Sequence, residues 1–188
     1  MNWLAHLHLA EPDPAFRIGA LLPDLMRVNE LSAAPAMFQA GIRQHKDVDA
    51  FTDSHPIVKR SIALIDPRWR RFAGILIDVF YDHFLTLAWA EYANQPLAEF
   101  VDAFHSTVPD FRDALPAQAF ERLEQIREDR RLLSYGTIAG IESALHRIGE
   151  RFRSPIPLAD AISELTQNTD ALRTDFREFF PLLREAIG

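Results

Sequence analysis

Asp78, Asp82 and His83 lie inside an apolar run, Gly74-Ile75-Leu76-Ile77-Asp78-Val79-Phe80-Tyr81-Asp82-His83-Phe84-Leu85. The run reads as a buried helix, and an ionised carboxylate entering a core costs several kcal/mol unless a partner offsets it. Asp78 and Asp82 are four residues apart and share one helix face, with His83 about 100° round from Asp82. Something positive must meet that face. A bound divalent metal is the most economical candidate, and further ligands for it are found elsewhere in the chain.

The segment 45–55 supplies the first of them. His45, Asp49 and Asp53 recur every four residues, so one helix face offers an imidazole and two carboxylates, a spacing that suits one ion or two neighbouring ions. The same spacing also fits a solvated face with Thr52 or Asp53 capping before Pro56. Asp24 follows Leu21-Leu22-Pro23 and reads either as a ligand or as a cap at a helix start or bend. His6 and His8 face nearly opposite ways if helical, so at most one is expected at a shared site.

These residues need helices to hold them. Seven glycines, little Val-Ile-Thr alternation and no Asn-Gly or Asp-Gly hairpin signal point to an all-α fold. Helices are expected at about 36–53, 68–94, 117–132, 134–152 and 157–186, the last with a break near Pro181. Pro12 and Pro14 close a short N-terminal segment, and Pro96 and Pro116 sit where a first helical turn tolerates them. Ser154-Pro155-Ile156-Pro157 is too short to separate domains. A single all-α domain over 1–188, a helical bundle, is therefore expected.

Composition narrows the chemistry. The 188 residues contain no cysteine, which excludes disulfides, thiolate metal sites and cysteine nucleophiles. A metal must then be held by His, Asp and Glu. There is no Gly-rich phosphate loop, no Gly-x-Ser-x-Gly elbow and no His-Glu-x-x-His. No basic n-region followed by an apolar core opens the chain, and the expected location is the cytoplasm. A net charge of −7 argues against broad nucleic-acid binding. Residues 41–72 nevertheless carry seven basic against four acidic side chains, a local patch able to steer an acidic partner or a phosphate.

Four blocks together resemble a known family, the acyl carrier protein phosphodiesterases, or holo-acyl-carrier-protein hydrolases, which are similar to HD-domain metal-dependent phosphohydrolases. The blocks are Met1-Asn2-Trp3-Leu4-Ala5-His6-Leu7-His8-Leu9-Ala10, the stretch from Gly41 to Pro56, and the stretch from Arg71 through Asp78, Asp82 and His83 to Trp89. A weaker fourth comprises Tyr135-Gly136 and Phe179-Phe180-Pro181. Two positions depart from the family's pattern. Pro23-Asp24 stands where Gly-Asp is usual, and Lys46 stands where arginine usually follows the histidine. Lysine keeps the charge but loses the bidentate fork. Asp82-His83 also reverses the usual His-Asp order of HD proteins.

The resemblance implies an HD-domain-like bundle that hydrolyses the phosphodiester joining 4′-phosphopantetheine to a serine of holo-acyl carrier protein. It also implies a divalent ion, Mn²⁺ first, with Mg²⁺ or Fe²⁺ as alternatives. His45, Asp49, Asp82 and His83 are then the expected ligands, with Asp24 a further one. His6 would orient water or protonate the leaving oxygen, and Asp78 would support a ligand or be one. Arg43, Lys46, Arg70 and Arg71 would bind phosphate or the acidic carrier. The residues also leave room for two other readings: a phosphohydrolase acting on a nucleotide or another small phosphoester, and a non-catalytic helical protein that binds the carrier.

Overall fold

The computed structural model describes residues 1–187 and is helical from end to end, with no strand among them. Twelve α-helices follow in order: α1 (Trp3–Leu9), α2 (Pro14–Leu25), α3 (Val28–Leu31), α4 (Gln39–Ser54), α5 (Pro56–Ala63) and α6 (Ala73–Leu87). The second half holds α7 (Trp89–Tyr92), α8 (Leu97–Thr107), α9 (Ala117–Glu128), α10 (Arg131–Ser134), α11 (Ile138–Gly149) and α12 (Ile162–Ile187). Local chemistry sets several starts. Pro14 opens α2 while the Asp13 carboxylate accepts from the Phe16 N–H at 2.8 Å. Pro56 opens α5 while the His55 ring accepts from the Ile57 N–H at 3.2 Å.

The apolar run containing Asp78 and Asp82 is α6, which packs against α1, α5, α11 and α12. Leu76, Ile77, Val79, Phe80, Tyr81, Phe84 and Leu85 are all buried in one continuous core. Helix α12 closes that core with Phe176, Phe179 and Phe180. A polar tie joins α5, α6 and α12. Ser61 Oγ donates to Asp175 at 2.7 Å and meets Tyr81 OH at 2.8 Å, while Arg60 Nε donates to the same Asp175 carboxylate at 2.7 Å.

Several expected boundaries change. The helix expected over 68–94 is three pieces: a 3-10 turn over Pro67–Phe72, then α6, then α7. Trp69 and Phe72 are three apart, and the 3-10 repeat brings both onto one side, where Trp69 is buried and Phe72 packs against the core. The helix expected over 117–132 stops at Glu128, and Arg130 adopts a left-handed conformation (φ 49°) before α10 begins. Pro181 does not break α12, which continues to Ile187. Asp24 sits in the last turn of α2, after an internal Pro23, rather than at a helix start.

Helices α2 and α4 meet backbone to backbone. A Cβ on Gly41 would lie 2.0 Å from the Phe16 carbonyl oxygen, and one on Gly19 would lie 2.3 Å from that of Phe38. Only glycine lets the two backbones meet there. The crossing lies one helical turn before His45.

Candidate functional site

Helix α4 presents His45 and Asp49 on one face, and α1 brings His6 against them. The two imidazoles stack, with ring centroids 3.8 Å apart and planes within 12°. Both Nε2 atoms face one carboxylate: His45 Nε2 lies 3.0 Å from Asp49 Oδ2, and His6 Nε2 lies 3.2 Å from Asp49 Oδ1. His45 Nδ1 is 2.7 Å from the Ala20 carbonyl oxygen, so it carries the proton there and the ring is fixed in orientation. The other ring nitrogen of His6, Nδ1, is buried without a partner.

The electrostatics follow from this crowding. Burial alone would lower His45, but its hydrogen bond to Asp49 and the charge of Asp24 hold it above its usual pKa. His6 is pushed down by burial, against the pull of Asp49. Burial would raise Asp49, yet the two histidines and the Met1 ammonium hold it far below the carboxylate range. One atom from each of His6, His45 and Asp49 can be chosen so that all three lie within 4.8 Å of one another. Groups that share protons in this arrangement become ligands once deprotonated, and a histidine whose other nitrogen donates to a carbonyl is the usual form of a metal-bound imidazole. The donor set fits a divalent cation.

Beside the triad lies a cavity of about 210 Å³ lined by Asp24, Asp49 and Asp78 together with Trp3, Tyr135, Arg147 and Arg151. The positive group that meets Asp78 is the Met1 ammonium, 2.9 Å from its Oδ1 and 3.5 Å from Asp49 Oδ1. Burial would lower that ammonium, but the two carboxylates raise it to about 10. Burial also raises Asp78, with the ammonium opposing.

Asp82 and His83 do not join this group. Asp82 is wholly buried, and its two oxygens accept from the Leu4 N–H at 2.7 Å and the Ala5 N–H at 3.1 Å. It receives the N-terminus of α1, whose orphan amides and dipole supply the positive partner the apolar run required. Burial still lifts its carboxyl to about 7. His83 turns its Nδ1 to the Tyr135 carbonyl oxygen at 2.7 Å. Neither lines the cavity. His8 packs on Trp89 and Phe180, at 5.1 and 5.8 Å between ring centroids, away from His6.

The basic residues also fall differently from expectation. Arg43, Lys46, Arg70 and Arg71 are all exposed and none lines the cavity. Arg60 of the same segment is taken up by Asp175 and Glu178. Besides the Met1 ammonium, the cations that do reach the cavity are Arg147 and Arg151, from the end of α11 and the turn after it. Sequence reasoning passed over both, because arginines at a helix C-terminus are ordinary. Their only signal was their spacing four apart.

The model of a family described as acyl carrier protein phosphodiesterase matches residues 1–183. Proteins named acyl carrier protein phosphodiesterase from Enterobacter sp. (strain 638) and Klebsiella pneumoniae are each 35% identical over 182 and 184 residues, covering 96% of this chain and 94% of the relative. One of the same name from Escherichia coli O6:K15:H31 is 32% identical over 186 residues, covering 98% and 96%. No solved structure matches, and the HD-type relationship remains an expectation of the sequence. The chain belongs to the acyl carrier protein phosphodiesterase family.

Proposed function

We propose that this protein hydrolyses the phosphodiester joining 4′-phosphopantetheine to a serine of holo-acyl carrier protein, releasing the apo-carrier and 4′-phosphopantetheine. The reading is supported by family membership, and the observation that carries it is the convergence of His6, His45 and Asp49 beside a cavity lined by three carboxylates and two arginines. His6, His45 and Asp49 would hold a divalent ion. A set of two imidazoles and one carboxylate suits Mn²⁺ or Fe²⁺ better than Mg²⁺, and Mn²⁺ is the first choice. Such an ion, when bound, supplies an acidified water and neutralises charge on phosphoryl oxygens.

The protein's own residues supply the rest. Asp24 and Asp78 line the cavity and order the attacking water. The departing serine oxygen needs a proton. Asp78 lies on the cavity wall with the Met1 ammonium 2.9 Å away, and this proton-sharing pair is the source of that proton. The enzyme is one domain working in the cytoplasm, and no helix among the described residues is long and apolar enough to cross a membrane.

Incubation of holo-acyl carrier protein with the protein and Mn²⁺, followed by intact-mass spectrometry, tests the reading. Loss of the phosphopantetheine mass from the carrier is expected. A carrier whose mass is unchanged with Mn²⁺, Mg²⁺ and Fe²⁺ would overturn it.

A further inference from the structure

Arg147 and Arg151 line the same cavity as Asp24, Asp49 and Asp78, yet neither forms an ion pair with any of them among the described residues. The one side-chain hydrogen bond of Arg147 runs from Nη1 to Ser143 Oγ at 2.7 Å. The Arg151 guanidinium lies over the Trp3 ring, 5.6 Å from its centroid. Loss of water lowers the pKa of both; for Arg147 the positive charge of Arg131 adds to this, while for Arg151 the negative charge of Asp24 opposes it. The C-terminal end of α11 favours positive charge. That preference does not explain why two guanidiniums turn into a hollow and stay unpaired opposite three carboxylates.

A guanidinium fork that lines a cavity without a salt bridge to its carboxylates is suited to a tetrahedral oxyanion, to which it can donate two parallel hydrogen bonds. On the far side of Trp3, Arg147 and Arg151 a second hollow of about 300 Å³ is lined by Arg122 and Arg131. Arg131 is paired with Asp129 at 2.6 Å, and Arg122 donates to the Leu25 carbonyl at 2.7 Å. Of these, Arg131 is neutralised by a carboxylate, whereas Arg147 and Arg151, which line both hollows, are not.

We propose that Arg147 and Arg151 clamp the phosphoryl group of the substrate, holding its non-bridging oxygens in the cavity that Asp49 of the triad also lines. The inference rests on the phosphodiesterase reading for the identity of the phosphate. Within it, the two arginines are binding residues that set the position of the scissile phosphorus between the clamp and the triad.

Calorimetric titration separates this from a structural role. Inorganic phosphate and 4′-phosphopantetheine are titrated into the wild type, Arg147→Gln, Arg151→Gln and the exposed control Arg70→Gln, each with and without Mn²⁺. Pantetheine, which lacks the phosphate, is the companion ligand. Each clamp variant should bind both phosphates at least tenfold more weakly, while Mn²⁺ uptake, helicity by circular dichroism and pantetheine binding match the wild type. Arg151→Lys should recover only part of the loss. Wild-type affinity in both clamp variants would overturn the proposal. So would an equal loss for pantetheine, or no phosphate binding by the wild type. Arg151 is exposed, so its variant keeps the test valid if Arg147→Gln fails to fold. Failure of the wild type to convert holo-carrier would sink the hydrolase reading instead, and the inorganic phosphate titration would still judge the clamp.

Discussion

His45 Nδ1 and the Ala20 carbonyl oxygen lie 2.7 Å apart across the crossing of α4 and α2, so the backbone of one helix aims the imidazole of the other. That contact depends on how near the helices come, and Gly41 sets the distance. A methyl group at Gly41 would meet the Phe16 carbonyl oxygen at 2.0 Å and the Ala20 amide nitrogen at 2.6 Å, both rigid backbone. Gly41→Ala should therefore destabilise the fold by about 2–3 kcal/mol and weaken Mn²⁺ binding about tenfold or more by moving Ala20 from His45. Denaturant unfolding and a metal titration read the two effects. Unchanged metal affinity would show that Ala20 does not orient the ring.

Asp49 is the carboxylate on which both histidines converge, and Asp49→Ala should abolish measurable Mn²⁺ uptake by elemental analysis and activity with it. In the wild type, Mn²⁺ at about 100 times its Kd should stabilise the native state by about 2.7 kcal/mol and raise the melting temperature by roughly 5–10 °C for a chain of this size. Chelation should reverse that rise. Asp49→Ala should melt at one temperature with or without Mn²⁺, and a metal-induced rise in the variant would place the ligands elsewhere.

Asp82→Ala makes a contrasting prediction. Removing this carboxylate leaves the Leu4 and Ala5 amides buried without an acceptor, a loss of about 2–4 kcal/mol. The folded fraction should still take up Mn²⁺ at low temperature, since His6, His45 and Asp49 remain. Complete loss of metal from a protein that keeps its native circular dichroism would return Asp82 to the ligand set.

His105 gives a pH dependence separate from the site. It is buried, neither ring nitrogen has a partner, and burial lowers its pKa to about 4 from an ordinary 6.5. The unfolded chain therefore takes up the proton first as pH falls. Stability is full above about pH 6.5 and is lost between there and pH 4, by up to about 3 kcal/mol for this residue. His8, also lowered to about 4, acts in the same direction. His105→Leu should flatten the slope of unfolding free energy over that window without removing it. An unaltered slope would show that His105 keeps its ordinary pKa in the native protein.

The parts of this site legible in the sequence were those written in helical spacing. His45 and Asp49 fall four apart and do share a face. The opposed facing of His6 and His8 was also readable, and only His6 reaches the triad. The demand for a positive partner on the Asp78–Asp82 face was sound physics, but its answer was not local. A helix N-terminus and a divalent ion satisfy a buried carboxylate by the same electrostatics, and nothing between residues 74 and 85 distinguishes them. Arg147 and Arg151 were hidden for the opposite reason: each is unremarkable in its own helix and gains meaning only where α11 faces α2, α4 and α6. The breaks at Pro67–Phe72 and Arg130 depend on which aromatic must be buried and where the chain must turn, and apolar periodicity does not encode either.

The docking of α1 through Asp82 has a consequence for the order in which the protein can be made. Residues 3–9 are made well before their partners: the carboxylate that receives the Leu4 and Ala5 amides lies 78 and 77 positions later, and the Tyr135 hydroxyl that accepts from Asn2 at 2.9 Å lies 133 later. A seven-residue helix is too short to persist alone in water. His6 thus waits, unplaced, through most of synthesis, and the catalytic centre closes only when late-made helices capture the earliest segment. A nascent chain halted before residue 82 lacks the carboxylate that docks α1, so His6 has nothing to hold it against His45 and Asp49.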